Sequence, residues 1–257
     1  MKIASFNING VRARLPRLLE WLEETRPAVA CLQEIKCQDD SFPAQEFEKI
    51  GYSAIWHGQK GFNGVAILAF EQEPQEVRRG LDGEPEDEQA RYLEANVSGV
   101  RIASIYLPNG NPHPGEKFAY KLRWMERLRT RMAEIWAEQV PAAMMGDYNV
   151  IPRDNDVWSP PAMASDALMQ PESREAFFRL LADGWTDAIG LRNPQGGVWT
   201  YWDYQAGAWQ RDHGFRIDHA LLSPESADRL VATGVDREYR GREKASDHTP
   251  VWIELNM

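Results

Sequence analysis

The stretch Met144-Met145-Gly146-Asp147-Tyr148-Asn149-Val150 ends an apolar run with an acid and an amide two residues apart. The run from Val140 to Met145 predicts a β-strand. Residues i and i+2 of a strand point to the same face, so we expect Asp147 and Asn149 to project together, with Tyr148 turned away. This pattern is typical of a base or metal ligand beside a hydrogen-bond donor, although Gly, Asp and Asn also form ordinary β-turns.

Length and composition indicate one globular domain. The chain has 257 residues, which is enough for a large core, and no linker or repeat divides it, so we predict a single domain over residues 1–257. Cys31 and Cys37 form no Cys-x-x-Cys pair, which argues against a disulfide scaffold or a zinc site and suits a reducing cytosol. No N-terminal signal and no apolar run of about 20 residues is present, so we expect a cytoplasmic protein without membrane association.

The charge distribution is uneven. A net charge of −10 opposes binding of a polyanion, because phosphate binding normally shows a basic surface. Much of the negative charge lies in residues 71–94, whereas basic residues cluster at Arg12 and Arg14 and in residues 117–131 and 237–244. A locally basic face on an acidic protein is therefore compatible with the sequence.

Predicted strands outnumber predicted helices. Helical spacing of apolar residues indicates helices over 15–25, 116–138 and 172–183. Strand patterns cover residues 2–8, 28–32, 52–57, 64–70, 92–97, 101–107, 140–145, 198–204, 215–223 and 249–255. Helices separate only some of these strands, which predicts an α/β protein in which two mixed sheets of about a dozen short strands pack together with helices outside.

Several predicted strands end in acidic, amide or imidazole side chains. They are Phe6-Asn7, Leu32-Gln33-Glu34, Gly146-Asp147-Tyr148-Asn149, Arg216-Ile217-Asp218-His219 and Ser246-Asp247-His248, to which we add Tyr106. Each has an ordinary explanation alone, but their recurrence indicates strand ends that converge. Carboxylate and amide oxygens without thiolates favour Mg²⁺ or Mn²⁺, and such a set suits metal-assisted hydrolysis of phosphate esters.

Read in order, these motifs resemble the endonuclease/exonuclease/phosphatase superfamily, and more closely its exonuclease III branch of apurinic/apyrimidinic (AP) endonucleases. Further matching text includes His57-Gly58-Gln59-Lys60-Gly61 and Trp202-x-Tyr204, and the resemblance runs essentially end to end. It implies a four-layered α/β sandwich with two mixed β-sheets packed face to face. It also implies a Mg²⁺-dependent enzyme, with Mn²⁺ as substitute, that acts as a monomer on double-stranded DNA with abasic sites or damaged 3′ ends.

The resemblance also implies roles for particular residues. Asp147 orients or deprotonates the attacking water, Asn149 and His248 bind the scissile phosphate, Asp218 orients His248, and Tyr106 assists at the leaving 3′ oxygen. The implied metal ligands are Asn7, Glu34, Asp147, Asn149, Asp247 and His248. The residues implied to bind DNA or an abasic sugar are Lys60, Tyr201, Phe215, Arg216 and Ile217.

Alternatives remain at this stage. The segment Ser159–Gln170 could fill the abasic-sugar pocket and leave only 3′→5′ exonuclease activity. A lipid phosphatase would replace Gly214-Phe215-Arg216-Ile217-Asp218 with its own motif, and a non-catalytic binding protein would have lost catalytic acids that are present here. Some relatives carry an acid where this chain has Asn9. For the AP endonuclease, we expect incision 5′ to the abasic site that leaves a 3′-hydroxyl.

Overall fold

The computed structural model describes residues 1–257 and contains twelve strands and seven α-helices. The strands are β1 Lys2–Asn7, β2 Val29–Gln33, β3 Tyr52–His57, β4 Val65–Phe70, β5 Gln75–Arg79, β6 Tyr92–Val97, β7 Val100–Tyr106, β8 Ala142–Asp147, β9 Thr186–Asp187, β10 Asp218–Leu222, β11 Leu230–Val235 and β12 Val251–Leu255. The helices are α1 Val11–Thr25, α2 Ala44–Glu48, α3 Glu116–Ala137, α4 Pro160–Met163, α5 Pro171–Ala182, α6 Ala188–Arg192 and α7 Pro224–Ala227.

Two six-stranded sheets form the centre of the molecule. Their strand orders are β11-β12-β1-β2-β4-β3 and β5-β6-β7-β8-β10-β9. Both sheets are mixed, because β1 runs parallel to β2 and β7 parallel to β8 while the other neighbours are antiparallel. None of the helices has the length and apolar character needed to cross a bilayer.

The sheets pack face to face and helices cover their outer faces. A core of 20 buried residues, including Ile67 and Ile102, fills the space between the sheets. Leu18 and Trp21 of α1 pack on the first sheet, and helices α3 and α5 pack on the second. The predicted four-layered α/β sandwich is confirmed, because each sheet buries one apolar face against the other sheet and one against helices.

The structure corrects several predicted boundaries. Helix α1 begins at Val11 rather than residue 15, and β10 begins at Asp218 rather than residue 215. Residues 198–204 are not a strand, because the consecutive backbone N–H groups of Thr200 and Tyr201 both donate to the Phe215 carbonyl, whereas successive N–H groups of a strand point to opposite sides. Strands β5, β9 and β11 had no clear alternating pattern in the sequence.

Topology brings the polar strand ends to one edge of the sandwich. In the first sheet Asn7 is level with Gln33 at the ends of parallel strands β1 and β2. In the second, Asp147 is level with both Tyr106 and Asp218. Because the two sheets are stacked, side chains from both meet above this edge.

Candidate active site

Two carboxylates and an imidazole form the centre of the site. Ligand atoms of Glu34, Asp147 and His248 all lie within 4.8 Å of one another. Asn7 Nδ2 donates to Glu34 Oε1 at 2.9 Å and to Asp147 Oδ2 at 3.0 Å, while its Oδ1 accepts from the Asn9 backbone N–H. In this arrangement the amide nitrogen of Asn7 holds the two carboxylates in place, and the role of Asn7 as a metal ligand stays a prediction.

A second polar chain extends from Glu34 to Asp247. Lys36 Nζ lies 2.6 Å from Glu34 Oε2 and donates to Asn9 Oδ1 at 2.5 Å. Asn9 Nδ2 in turn donates to Asp247 Oδ1 at 2.9 Å. Asn9 thus links an ammonium to a carboxylate. No separate role for Lys36 was predicted, because only the fold places its side chain beside Glu34.

Four residues at the site have left-handed backbones although none is glycine. Their φ angles are 48° at Asn9, 50° at Glu34, 52° at Lys36 and 48° at Asn149. Such conformations cost on the order of 1–3 kcal/mol each and persist only where the surrounding contacts enforce them. The side-chain network described above supplies these contacts at three of the four positions.

Two carboxylates favour the protonated form of His248. Its Nδ1 lies 2.8 Å from Asp218 Oδ2, and its Nε2 lies 3.7 Å from Asp147 Oδ2. Burial opposes the charged ring, but the carboxylates of Asp218 and Asp147 outweigh it and raise the pKa of His248 to about 10. Because Asp218 fixes Nδ1, the Nε2–H is directed toward the cavity and can donate to an anionic oxygen.

Asp147 and Tyr106 differ in their capacity to accept a proton. Burial raises the pKa of Asp147 to about 7, with His248 opposing and Asp218 adding to the rise. Burial raises the pKa of Tyr106 well above its ordinary value, and Glu34 and Asp147 raise it further. Near neutral pH Asp147 is therefore suited to accept a proton, whereas Tyr106 keeps its hydroxyl proton and can donate a hydrogen bond.

Asn149 presents an N–H to the cavity. Its Nδ2 donates to the Leu107 carbonyl at 2.9 Å, and its Oδ1 accepts from Asn109 Nδ2 at 3.0 Å. Its backbone N–H donates to Asp147 Oδ1 at 2.9 Å. The second Nδ2 hydrogen is left for a substrate oxygen, which fits phosphate binding better than the expected metal ligation. The stretch is thus both a turn and part of the site, and Tyr148 is buried away from it.

Lys121 holds the backbone of Asn149 by a hydrogen bond, and this residue was not identified from the sequence. This lysine of α3 is fully buried, and its Nζ donates to the carbonyls of Asn149 at 2.5 Å and Asn109 at 3.1 Å. Its spacing with Phe118, Met125 and Leu128 places a cation on the apolar face of the helix, which was the available signal.

An apolar wall adjoins the group of Glu34, Asp147 and His248, which we call the catalytic cluster. Tyr201, Phe215 and Ile217 line a cavity of about 530 Å³, together with Met163 and Leu168. The same cavity is lined by Glu34, Tyr106, Asp147, Asn149, Asp247 and His248. All the residues implied for catalysis except Asp218, which is buried against His248, therefore share one open space with the sugar pocket. Adjacent Asp247 and His248 both line it.

The backbone turns between Ile217 and Asp218. Both backbone N–H groups donate to Thr200 Oγ1 at 3.1 Å, which an extended strand would not allow because successive N–H groups point to opposite sides. This turn lets Phe215 and Ile217 line the pocket while Asp218 reaches His248. It supplies the geometric connection that the alternation of strand residues alone did not provide.

Two expected DNA-binding residues lie outside the cavity wall. The Arg216 guanidinium is buried and forms ion pairs with Asp156 and Asp187 at 2.8 Å, so the expectation that it contacts DNA is corrected. Its donors hold the loop that carries Phe215. Lys60 is exposed in the loop between β3 and β4, where it has no role in the catalytic cluster.

The oxygen-rich set fits a divalent metal. Glu34, Asp147 and Asp247 provide carboxylate oxygens, and the site contains no thiol. Burial opposes the charge on Glu34, but Lys36 and Asn7 lower its pKa and keep it ionised, which is the form that binds a metal. Hard cations prefer such ligands.

Comparisons with known proteins agree with this geometry. Residues 4–248 match the model of the Endonuclease/Exonuclease/phosphatase family. The chain is 35% identical to Exodeoxyribonuclease III of Haemophilus influenzae, with 99% of this chain and 100% of the relative covered. An AP endonuclease structure from Archaeoglobus fulgidus (TM-score 0.95) and a Neisseria 3′ phosphatase bound to a product DNA hairpin (0.97) are each 36% identical, with full coverage of both chains. The chain therefore belongs to the endonuclease/exonuclease/phosphatase family.

Proposed function

We propose that this protein is a metal-dependent DNA-repair phosphodiesterase that cuts 5′ to abasic sites in duplex DNA and removes nucleotides from 3′ ends. The observation that carries the proposal is that the catalytic cluster and the apolar wall of Tyr201, Phe215 and Ile217 line the same open cavity. A base-free deoxyribose can pack on that wall while its phosphate reaches the polar groups. The family match and the names of the relatives support the same class of hydrolytic nuclease.

The proposed roles of the catalytic side chains follow from the charge and the protons that each one carries. Asp147, with its raised pKa, accepts the proton of the attacking water. The His248 cation and the Asn149 N–H bind the phosphate oxygens, and the Tyr106 hydroxyl donates to the leaving 3′ oxygen. These groups stabilise charge where it develops in the transition state. Mg²⁺ held by Glu34, Asp147 and Asp247, or Mn²⁺ in its place, would neutralise phosphoryl charge and lower the pKa of water.

The segment 159–170 bears on the balance between the two activities. Met163 and Leu168 from this segment line the apolar wall, yet the cavity retains about 530 Å³. We therefore propose that this segment narrows the cavity without closing it, so that an abasic sugar can enter. For 3′ ends, a frayed terminal nucleotide presents its phosphate to the same polar groups.

Double-stranded DNA is the proposed partner, with the protein acting as a monomer. The DNA-bound structure of the Neisseria relative supports DNA binding. Exposed Lys60 is proposed to contact a backbone phosphate, and a Lys60→Ala variant should then bind more weakly and lose about one ion from the salt dependence of binding. A salt slope equal to that of the parent would exclude Lys60 from the interface.

A labelled duplex with one internal tetrahydrofuran abasic analogue tests the activity. With protein and Mg²⁺ we expect one discrete internal product with a 3′-hydroxyl, followed by shortening from 3′ ends. A ladder from the 3′ end without the discrete product would support the exonuclease-only alternative, and no cleavage of either kind would reject the proposal. Asp147→Asn should bind the duplex like the parent but turn over about 10²–10⁴-fold more slowly.

A further inference from the structure

An aromatic stack stands at the mouth of the cavity. The rings of Trp158 and His213 lie parallel, with centroids 3.7 Å apart and planes inclined by 3°. Both side chains line the cavity, and Trp158 remains 39% exposed. The backbone N–H of Trp158 donates to the Gly214 carbonyl at 3.0 Å, and the backbone N–H of His213 donates to the Ala208 carbonyl at 2.8 Å. These bonds fix the backbone of both residues. The catalytic roles assigned above leave this pair without a function.

The stack lies next to the sugar pocket on its outer side. Val157 pairs with Phe215 and is buried with it in a small apolar cluster, whereas Trp158, one residue further, reaches the surface. The Tyr201 ring contacts those of His248 and Phe215, with centroids 4.9 and 4.7 Å apart, and Trp158 bonds Gly214 next to Phe215. The cavity thus offers polar groups, an apolar wall and an exposed aromatic ring in this order. Phosphate, deoxyribose and nucleobase follow the same order in a nucleotide.

We infer that Trp158, backed by His213, is a stacking platform for the base of the 3′-terminal nucleotide that the enzyme removes. The inference rests on the proposed function, since it places a third part of the substrate in the same cavity. Every base has a π-face, so the platform would accept all four bases. An abasic site has no base to stack and would gain nothing from it. Trp158 would therefore favour removal of 3′ nucleotides without affecting incision at abasic sites.

Paired substrates test this selectivity. One duplex ends in a mismatched 3′ nucleotide and the other carries an internal tetrahydrofuran. We expect Trp158→Ala to lower kcat/KM on the first by about tenfold or more, as loss of a base–aromatic stack does, and to leave the second within about twofold. Trp158→Phe should recover part of the loss. Trp136→Ala is the matched control, because Trp136 is 43% exposed on α3 and does not line the cavity.

A binding measurement gives an independent readout. In an Asp147→Asn background, a duplex ending in 3′ 2-aminopurine should lose fluorescence on binding, because stacking on an indole quenches this base. Adding Trp158→Ala should abolish the quenching, whereas adding Trp136→Ala should leave it unchanged. Quenching that survives Trp158→Ala would overturn the platform.

The kinetic outcomes also separate the inference from the proposed function. Equal losses on both substrates, a loss confined to the tetrahydrofuran duplex, or no loss on either would each overturn it. If the parent protein cleaves neither duplex, the proposed function fails, and the fluorescence titration still decides whether Trp158 stacks on a terminal base. Circular dichroism and Tm of Trp158→Ala and Trp158→Phe establish that both variants fold.

Discussion

Replacing Lys121 with Met should separate activity from stability. The Lys121 ammonium is fully buried and donates to the carbonyl of Asn149, whose backbone φ of 48° is in the left-handed region. Met has similar length and no donor, so Lys121→Met removes the ammonium without a large change of volume. We expect Asn149 to lose its fixed conformation, so that its side-chain N–H no longer points to the phosphate.

The expected magnitudes follow from the contacts. A hydrogen bond from a charged donor is worth about 1.5–3 kcal/mol, which corresponds to about a 10- to 150-fold loss of kcat if it acts only by positioning Asn149. For stability, burial lowers the pKa of Lys121 from 10.5 to about 7, with Asp166 and Asp147 opposing. Holding the ammonium charged then opposes folding by about 5 kcal/mol at or below neutral pH. Two carbonyls without donors cost about 1–3 kcal/mol each, so the two effects on stability nearly cancel.

The assay is kcat on the tetrahydrofuran duplex at saturating DNA, with urea unfolding measured in parallel. We expect KM to stay near that of the parent while kcat falls. Lys49→Met, at a lysine exposed on the surface just after α2, is the control and should change neither quantity appreciably. A kcat within about threefold of the parent would refute the positioning role. A stability loss above about 4 kcal/mol would refute the cancellation and make Lys121 a general part of the scaffold.

Three further variants probe other contacts. Glu34→Ala should raise the metal concentration needed for activity, and full activity at micromolar Mg²⁺ would contradict metal binding at Glu34. His248→Ala should slow turnover about 10²–10⁴-fold, and combining it with Asp218→Asn should add little, because Asp218 acts through the ring. Burial, aided by the Arg216 charge, lowers the pKa of His219 from 6.5 to about 4, so the unfolded chain binds the extra proton first. As pH falls from 6.5 to 4 the parent should lose about 3 kcal/mol of stability that His219→Gln retains, and equal losses in both proteins would contradict the burial of a neutral His219.

Local patterns located the side chains of the candidate site because strand ends carry them. Asn7, Glu34 and Asp147 each follow an apolar run, and the recurrence of such ends indicated that they converge. The hydrogen-bond and ion-pair partners of the long polar side chains were not predicted from the sequence. Arg216 lies inside a motif but points into the scaffold, and Lys121 lies outside every motif but reaches Asn149. Both outcomes depend on which carboxylates or carbonyls the tertiary structure brings near a long cationic side chain.

The position of β1 has a consequence for how the molecule assembles. This strand lies inside the first sheet, between β2 and β12, with Lys2 level with Glu254. The sheet cannot close until nearly the whole chain has been synthesised, and such distant pairings make folding slow. His248 reaches its place in the site at the same late step, because it lies just before β12. Nuclease activity regained after dilution from denaturant should therefore appear with the final docking of β12 on β1, later than the far-ultraviolet signal of secondary structure.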